Sequence, residues 1–352
     1  MFDMHSDLKT FYEEHVRLGK KRRDELAGFR NANLDRLKSG LDALGEKHGT
    51  DYAYFEETRD QGGYAMRTLN QHPENEYDID VGLIFDADDL PDDPTEARQR
   101  ICDAFKENPG NFRRPPKARM NAVTVWYVDG PHVDFAIYRR REDIWGRTVI
   151  EHAGGDEWIE RDPDAVTDWF DERVGSLSPD PSLYAGVAVE VEQLRRIVRL
   201  LKFFCRSRVD WDLPGGMITT ALVVECYRPD ATRDDVALHD NMAQLLRRLE
   251  WNTTVLNPVD QSQELTAKTG CRDQVEGLRD KLDWALDQLA VLHDATCTEA
   301  QARNAWRLVF NHEFWNAKAT AKAESLLRPA ATVSGFAFPN RPTGPVKPAG
   351  FA

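Results

Sequence analysis

Residues 77–85 read YDIDVGLIF, and their alternation, bounded by acidic turns, predicts a β-strand. Asp78 and Asp80 are two residues apart on it, so both carboxylates project from the same face among apolar neighbours Ile79, Val81, Leu83 and Ile84. Two like charges on a half-buried strand repel each other, and burial raises the cost further. A divalent cation removes it.

Working outward, Gln61-Gly62-Gly63-Tyr64 stands between an extended run at 52–58 and a short helical segment. Paired glycines at such a junction let backbone N–H groups approach phosphate oxygens. Downstream, a helix near 94–107 precedes two extended runs, 120–128 (MNAVTVWYV) and 132–139 (HVDFAIYR), joined by the hairpin chemistry of Asp129-Gly130-Pro131. The second run carries a third carboxylate, Asp134, beside His132. Three acids on neighbouring strands next to a glycine loop suit two Mg²⁺ ions about 3.5–4 Å apart, as used for in-line attack on phosphate. His132 reads as a structural histidine or as one that orients Asp134.

These elements form an α+β half with a mixed or antiparallel sheet. Before it, residues 4–48 carry apolar positions at helical spacing without a proline, which predicts one long or broken helix. Its run Lys20, Lys21, Arg22, Arg23 reads as a solvated face. After it, helices are expected at 188–208, 216–227, 234–250, 274–293 and 298–327, with Trp251, Trp284, Trp306 and Trp315 in their core. The Pro- and Gly-containing end from Pro329 is expected to be a flexible tail.

The chain has 352 residues, 41% of them hydrophobic, and a net charge of −14. That length predicts about two domains, and the acidic balance excludes a protein devoted to holding long nucleic acid. The five cysteines never form C-x-x-C, so zinc-ligand spacing is absent. No apolar run is long enough to span a membrane and the N-terminus is charged early, which predicts a cytoplasmic protein. Arg113, Arg114, Lys117 and Arg119 read either as the wall of a nucleotide groove or as a solvated loop with two prolines, and the acidic residues at 86–93 read as solubilising charge.

The stretch 61–85 (QGGYAMRTLNQHPENEYDIDVGLIF) and the strand at 132–139 resemble the nucleotidyltransferase core of the bacterial cyclic-oligonucleotide synthases. These are the CD-NTases of CBASS anti-phage systems, relatives of the animal cyclic GMP-AMP synthase and the oligoadenylate synthases. Residues 194–208 (LRRIVRLLKFFCRSR) and 212–227 (DLPGGMITTALVVECY) resemble the two helices that complete the nucleotide site in that family. The resemblance implies a polymerase-beta-like nucleotidyltransferase with a C-terminal helical domain and a cleft between two lobes. The implied divisions are an N-terminal helix at 1–48 packing on both lobes, the core at 49–160, the helical domain at 161–328 and the tail at 329–352.

The same resemblance implies that Asp78 and Asp80 bind both metal ions and that Asp134 ligates the one activating the acceptor hydroxyl. The ions would be Mg²⁺, with Mn²⁺ as a substitute. Gln61, Gly62 and Gly63 would hold the donor triphosphate, and Lys202 would reach it from the helical side. Two positions depart from the family pattern: Gly63, and the pair Gly215-Gly216, stand where serines are usual. The implied activity is synthesis of a cyclic di- or oligonucleotide from NTPs with release of pyrophosphate. A nucleotidyltransferase acting on protein or RNA, and a catalytically weak nucleotide sensor, are the alternatives. Implied partners are a downstream nucleotide-activated effector and a ubiquitin-transfer-like protein that conjugates the chain through Ala352. The absence of a broad basic surface argues against activation by duplex DNA.

Overall fold

The computed structural model describes residues 1–71, 77–128, 130–184, 188–189 and 191–316. Asp129, the tail from Pro329 and Ala352 lie outside the described residues; the helix expected at 298–327 ends at Phe310, where Asn311 turns left-handed.

The strand around Asp78 forms as its apolar alternation predicts. With β1 at Glu57–Gln61, β2 at Asp78–Asp86, β3 at Phe112–Ala118, β4 at Val123–Tyr127 and β5 at His132–Glu142, the sheet runs in the order β1-β2-β5-β4-β3. β6 (Thr148–Gly154) pairs with the far half of β5, and β7 (Glu157–Glu160) pairs with β6. Among the described residues, β2 and β5 pair in parallel and the other strand pairs are antiparallel, so the sheet is mixed.

Two helices cover one face of this sheet. They are α2 (Lys20–His48), which stops at Gly49 in the left-handed conformation, and α4 (Pro94–Glu107), whose first turn is capped by the Asp93 carboxylate on the Thr95 N–H. Leu26, Leu37, Leu41, Ile101 and Phe105 from these helices pack on Ile79, Val81, Val133 and Phe135 from the strands. The helices cross so closely at Gly40 that a Cβ there would lie 2.1 Å from the Ala104 carbonyl oxygen. The opposite sheet face carries Asp78, Asp80, His132 and Asp134.

The expected N-terminal helix is broken. α1 (His5–Phe11) continues through one wide turn at Tyr12–Val16, then Arg17 becomes extended and bridges to Asn70. Leu8 and Phe11 sit in a second core with the later helices, whereas α2 belongs to the sheet core. That second core is built by α5 (Ala165–Leu177), α6 (Gln193–Cys205), α7 (Gly216–Cys226), α8 (Asp234–Trp251), α9 (Cys271–Leu289) and α10 (Glu299–Phe310). α10 opens on a reciprocal cap between Thr298 and Gln301. Between β1 and β2 lies the single turn α3 (Gly62–Ala65).

Three local expectations need correction. Trp306 and Trp315 are fully buried, but Trp251 at the end of α8 has 92% of its surface exposed, because it falls off the buried stripe that Met242, Leu245 and Leu249 mark. Arg113, Arg114 and Lys117 lie on an edge strand that ends at Ala118, just before Arg119, and its prolines are accommodated at a register shift between Arg114 and Lys117. Asp86 and Asp93 are more than solubilising charge, since each caps a turn through a backbone N–H.

Candidate active site

Strand register assembles the site. β2 and β5 place Asp78 opposite His132 and Asp80 opposite Asp134. β4 adds Thr124 opposite Asp134 and Trp126 opposite His132, and β1 ends with Gln61 opposite Asp80.

His132 Nε2 lies 3.2 Å from Asp78 Oδ1, and one ligand atom from each of Asp78, His132 and Asp134 falls within 4.8 Å of the others. His132 is therefore a partner of Asp78 and a possible ligand in its own right, beyond the two roles its sequence context suggested. The neighbouring carboxylate, chiefly through a hydrogen bond, raises the imidazole above its usual value. Asp80 is turned toward the glycine turn. Burial, reinforced by the charges of Asp78 and Asp134, pushes its carboxyl up to about 7. Burial also raises Asp134, opposed by the Thr124 hydroxyl beside it, and Asp134 Oδ1 is buried without a hydrogen bond of good geometry. Two buried carboxylates raised by burial and by the charge of Asp78 beside them, with an orphaned oxygen among them, fit a hard divalent cation held by oxygen ligands.

Gly62 has φ +60°, and a Cβ built on it would stand 1.9 Å from Asp80 Oδ2. The conformation and the close approach both require glycine. Gln61 is tied down beside it, donating from its amide to the Tyr138 hydroxyl and the Pro163 carbonyl, each at 2.9 Å.

Lys202 is 8% exposed and donates to the Thr68 carbonyl at 2.9 Å and the Thr68 hydroxyl at 3.2 Å. Burial, then the nearby Arg206 and Arg199, lowers its amine to about 7. A Cβ at Gly63 would lie 3.6 Å from this amine, and one at Gly216 would lie 3.2 Å away. Both glycines thus face Lys202, whereas Gly215 faces open space. α6 holds the intervening segment through three cations at helical spacing: Arg195 donates to the Met66 carbonyl, Arg199 to that of Arg67 and Lys202 to that of Thr68. Thr68 and Thr124 carried no sequence signal. Their roles arise from tertiary placement alone.

Carboxylates grouped on a parallel strand pair, a glycine turn over one of them and a buried lysine behind define a nucleotidyltransferase. Residues 56–138 match the family described as "Cyclic GMP-AMP synthase DncV-like, nucleotidyltransferase domain". The fold extends over most of the chain. It is shared with Vibrio cholerae DncV cyclic AMP-GMP synthase bound to nonhydrolyzable GTP, at 16% identity and TM-score 0.68 over 91% of this chain and 100% of that one. The same enzyme with the linear intermediate pppA(3′,5′)pG matches at 14% identity and TM-score 0.66, covering 89% and 98%. E. coli CdnC with ATP matches at 16% and 0.58, covering 88% and 98%. Among the described residues, no helix is long and apolar enough to cross a membrane.

Proposed function

We propose that this nucleotidyltransferase joins NTPs into a cyclic di- or oligonucleotide with release of pyrophosphate, as a second messenger for a nucleotide-activated effector in anti-phage defence. The observation that carries the reading is the register of Asp80 with Asp134 beneath a glycine turn that leaves no room for any other side chain. The fold shared with a cyclic AMP-GMP synthase supports the cyclic product.

Asp78, Asp80 and Asp134 would hold Mg²⁺, or Mn²⁺ in its place, which when bound supplies positive charge to acidify the acceptor hydroxyl and to neutralise the triphosphate. Gly62 and Gly63 expose backbone to the donor's phosphates, with Gln61 keeping the end of β1 in position. Lys202, held beside Gly63 by Thr68, contributes a point charge to the same triphosphate. Asp134 faces the acceptor hydroxyl. Conjugation through Ala352 by a ubiquitin-transfer-like partner remains part of this reading, as do a cytoplasmic setting and independence from duplex DNA.

The test incubates the protein with radiolabelled NTPs and Mg²⁺ and then with phosphatase. A phosphatase-resistant small product, lost in an Asp78→Ala, Asp80→Ala double variant, is expected. Label transferred to protein or RNA, or tight NTP binding without product, would overturn the proposal.

A further inference from the structure

A pair of histidines stands apart from the carboxylates, on the helical side of the chain. His239 belongs to α8, and His293 closes the short turn Ala290–His293 that follows α9. Their Nε2 atoms are 3.3 Å apart, and the ring centres are 4.8 Å apart with 54° between the ring planes. Each histidine directly follows a buried leucine of the second core, Leu238 or Leu292. The Leu292 carbonyl also accepts the Phe2 N–H at 2.6 Å. The main chain beneath both rings is therefore fixed. The His239 side chain is only 17% exposed, and its Nδ1 lies 3.0 Å from Asp240 Oδ1.

That carboxylate decides what the ring offers. An ionised carboxylate only accepts, so neutral His239 keeps its proton at Nδ1 and its lone pair at Nε2, where His293 stands. A hydrogen bond from His293 would be a long one at this distance. The ring centres are also nearer than a straight N–H···N bond between the two nitrogens would leave them. Two imidazole nitrogens held at about 2.0–2.1 Å by one tetrahedral ion stand about 3.3–3.4 Å apart. The observed gap is that one.

We propose that His239 and His293 together bind a divalent transition-metal ion, Zn²⁺ or another that imidazole favours, with Asp240 as the outer carboxylate that orients His239. His293 is exposed, which gives the ion a way in. Among the described residues, no third histidine, cysteine or carboxylate joins this pair with a ligand atom within 4.8 Å, so water completes the coordination. The ion acts as a clip between α8 and the end of α9. Mg²⁺, which prefers oxygen ligands, belongs to the carboxylates of the sheet instead. The two sites share no residue, and the clip does not depend on the cyclic-synthesis reading.

The test titrates Zn²⁺ into the full chain by calorimetry, with excess Mg²⁺ to fill the carboxylate site and a phosphine to keep the cysteines reduced. Wild type is expected to bind one Zn²⁺. His239→Gln and His293→Gln should each weaken that site by about tenfold or more, and Asp240→Asn by about tenfold. At about 100 times its Kd, Zn²⁺ should raise the wild-type Tm by several degrees and leave both histidine variants unmoved. An Asp78→Ala, Asp80→Ala variant should bind Zn²⁺ as wild type does, and the histidine variants should release pyrophosphate from NTPs and Mg²⁺ at the wild-type rate. Loss of nucleotidyl transfer and loss of the clip are thus separate outcomes. The absence of a Zn²⁺ site under excess Mg²⁺, or a site that survives either histidine substitution, overturns the proposal and leaves a hydrogen bond between two imidazoles.

Discussion

Replacing Gly62 with alanine tests the geometry of the site directly. The added methyl carbon would lie 1.9 Å from Asp80 Oδ2, so the carboxylate or the turn must withdraw by more than about 1 Å to restore ordinary contact. The left-handed backbone adds about 1–2 kcal/mol for a residue with a side chain. Because Gly62 itself is only half-buried, with Tyr64 of the same turn anchored in the sheet core, the stability loss should stay near that figure, a few degrees of Tm. Catalysis depends on placement more steeply: a displacement of about 1 Å costs on the order of 100-fold. Pyrophosphate release from NTPs, measured alongside the melting curve, should therefore fall by about two orders of magnitude in a protein that remains folded. Gly63→Ser is the matched comparison. Its Cβ would meet only the ends of flexible side chains, Leu69 Cδ2 at 3.0 Å and Lys202 Nζ at 3.6 Å, so activity should persist within about threefold. If Gly62→Ala kept comparable activity, or if the two variants were equally impaired, the placement of Asp80 under the turn would not be what the reaction requires.

Further outcomes follow from the same structure. The folded chain holds a proton on Asp80 up to about 7, against an ordinary 3.8, so without cation its stability should fall as pH rises between those values; Asp134 and His132 shift in the same direction. Mg²⁺ should therefore raise Tm more at pH 7 than at pH 5, by several degrees when present at about 100 times its Kd, and an equal rise at both pH values would contradict the carboxylate assignment. Above about 7, the depressed Lys202 works oppositely, because the unfolded chain then binds more protons and stability recovers with pH. Lys202→Met should raise KM for NTP by about tenfold or more while Tm changes little, since the lost bonds to Thr68 are offset by the burial no longer imposed on a charge; an unchanged KM would make the lysine purely structural. Gly40→Ala should destabilise the sheet half by about 1–3 kcal/mol, because its methyl group meets the Ala104 carbonyl at 2.1 Å, and a denaturation midpoint equal to wild type would refute the close crossing of α2 and α4.

How far the site could be read in advance depended on whether its parts were local. The two-residue spacing of Asp78 and Asp80, and the apolar run holding them, specify a strand and a shared face without help from the rest of the chain. α4 is equally legible, because Asp93 and Pro94 announce its start. His132 is different. Nothing within 132–139 shows that the parallel register will set its ring against Asp78. β3 contains two prolines and reads as a loop until an edge position lets it pair on one side only. β6 and β7 are short and charged, and they form because the long β5 leaves its far half open to pairing. The extended run expected at 52–58 begins its ladder only at Glu57. α5 escaped the helical reading, and its Phe170 and Val174 show their purpose only in the second core.

The grip of α6 on the carbonyls of Met66, Arg67 and Thr68 engages main chain, so it depends first on the backbone path, with the Thr68 hydroxyl as a further acceptor for Lys202. Of the three side chains, only that of Arg67 is exposed; Met66 and Thr68 are buried. A single inserted or deleted residue between Gly63 and Thr68 would put every carbonyl out of step with Arg195, Arg199 and Lys202. Variation in this chain's lineage should therefore be narrow in length across that short interval.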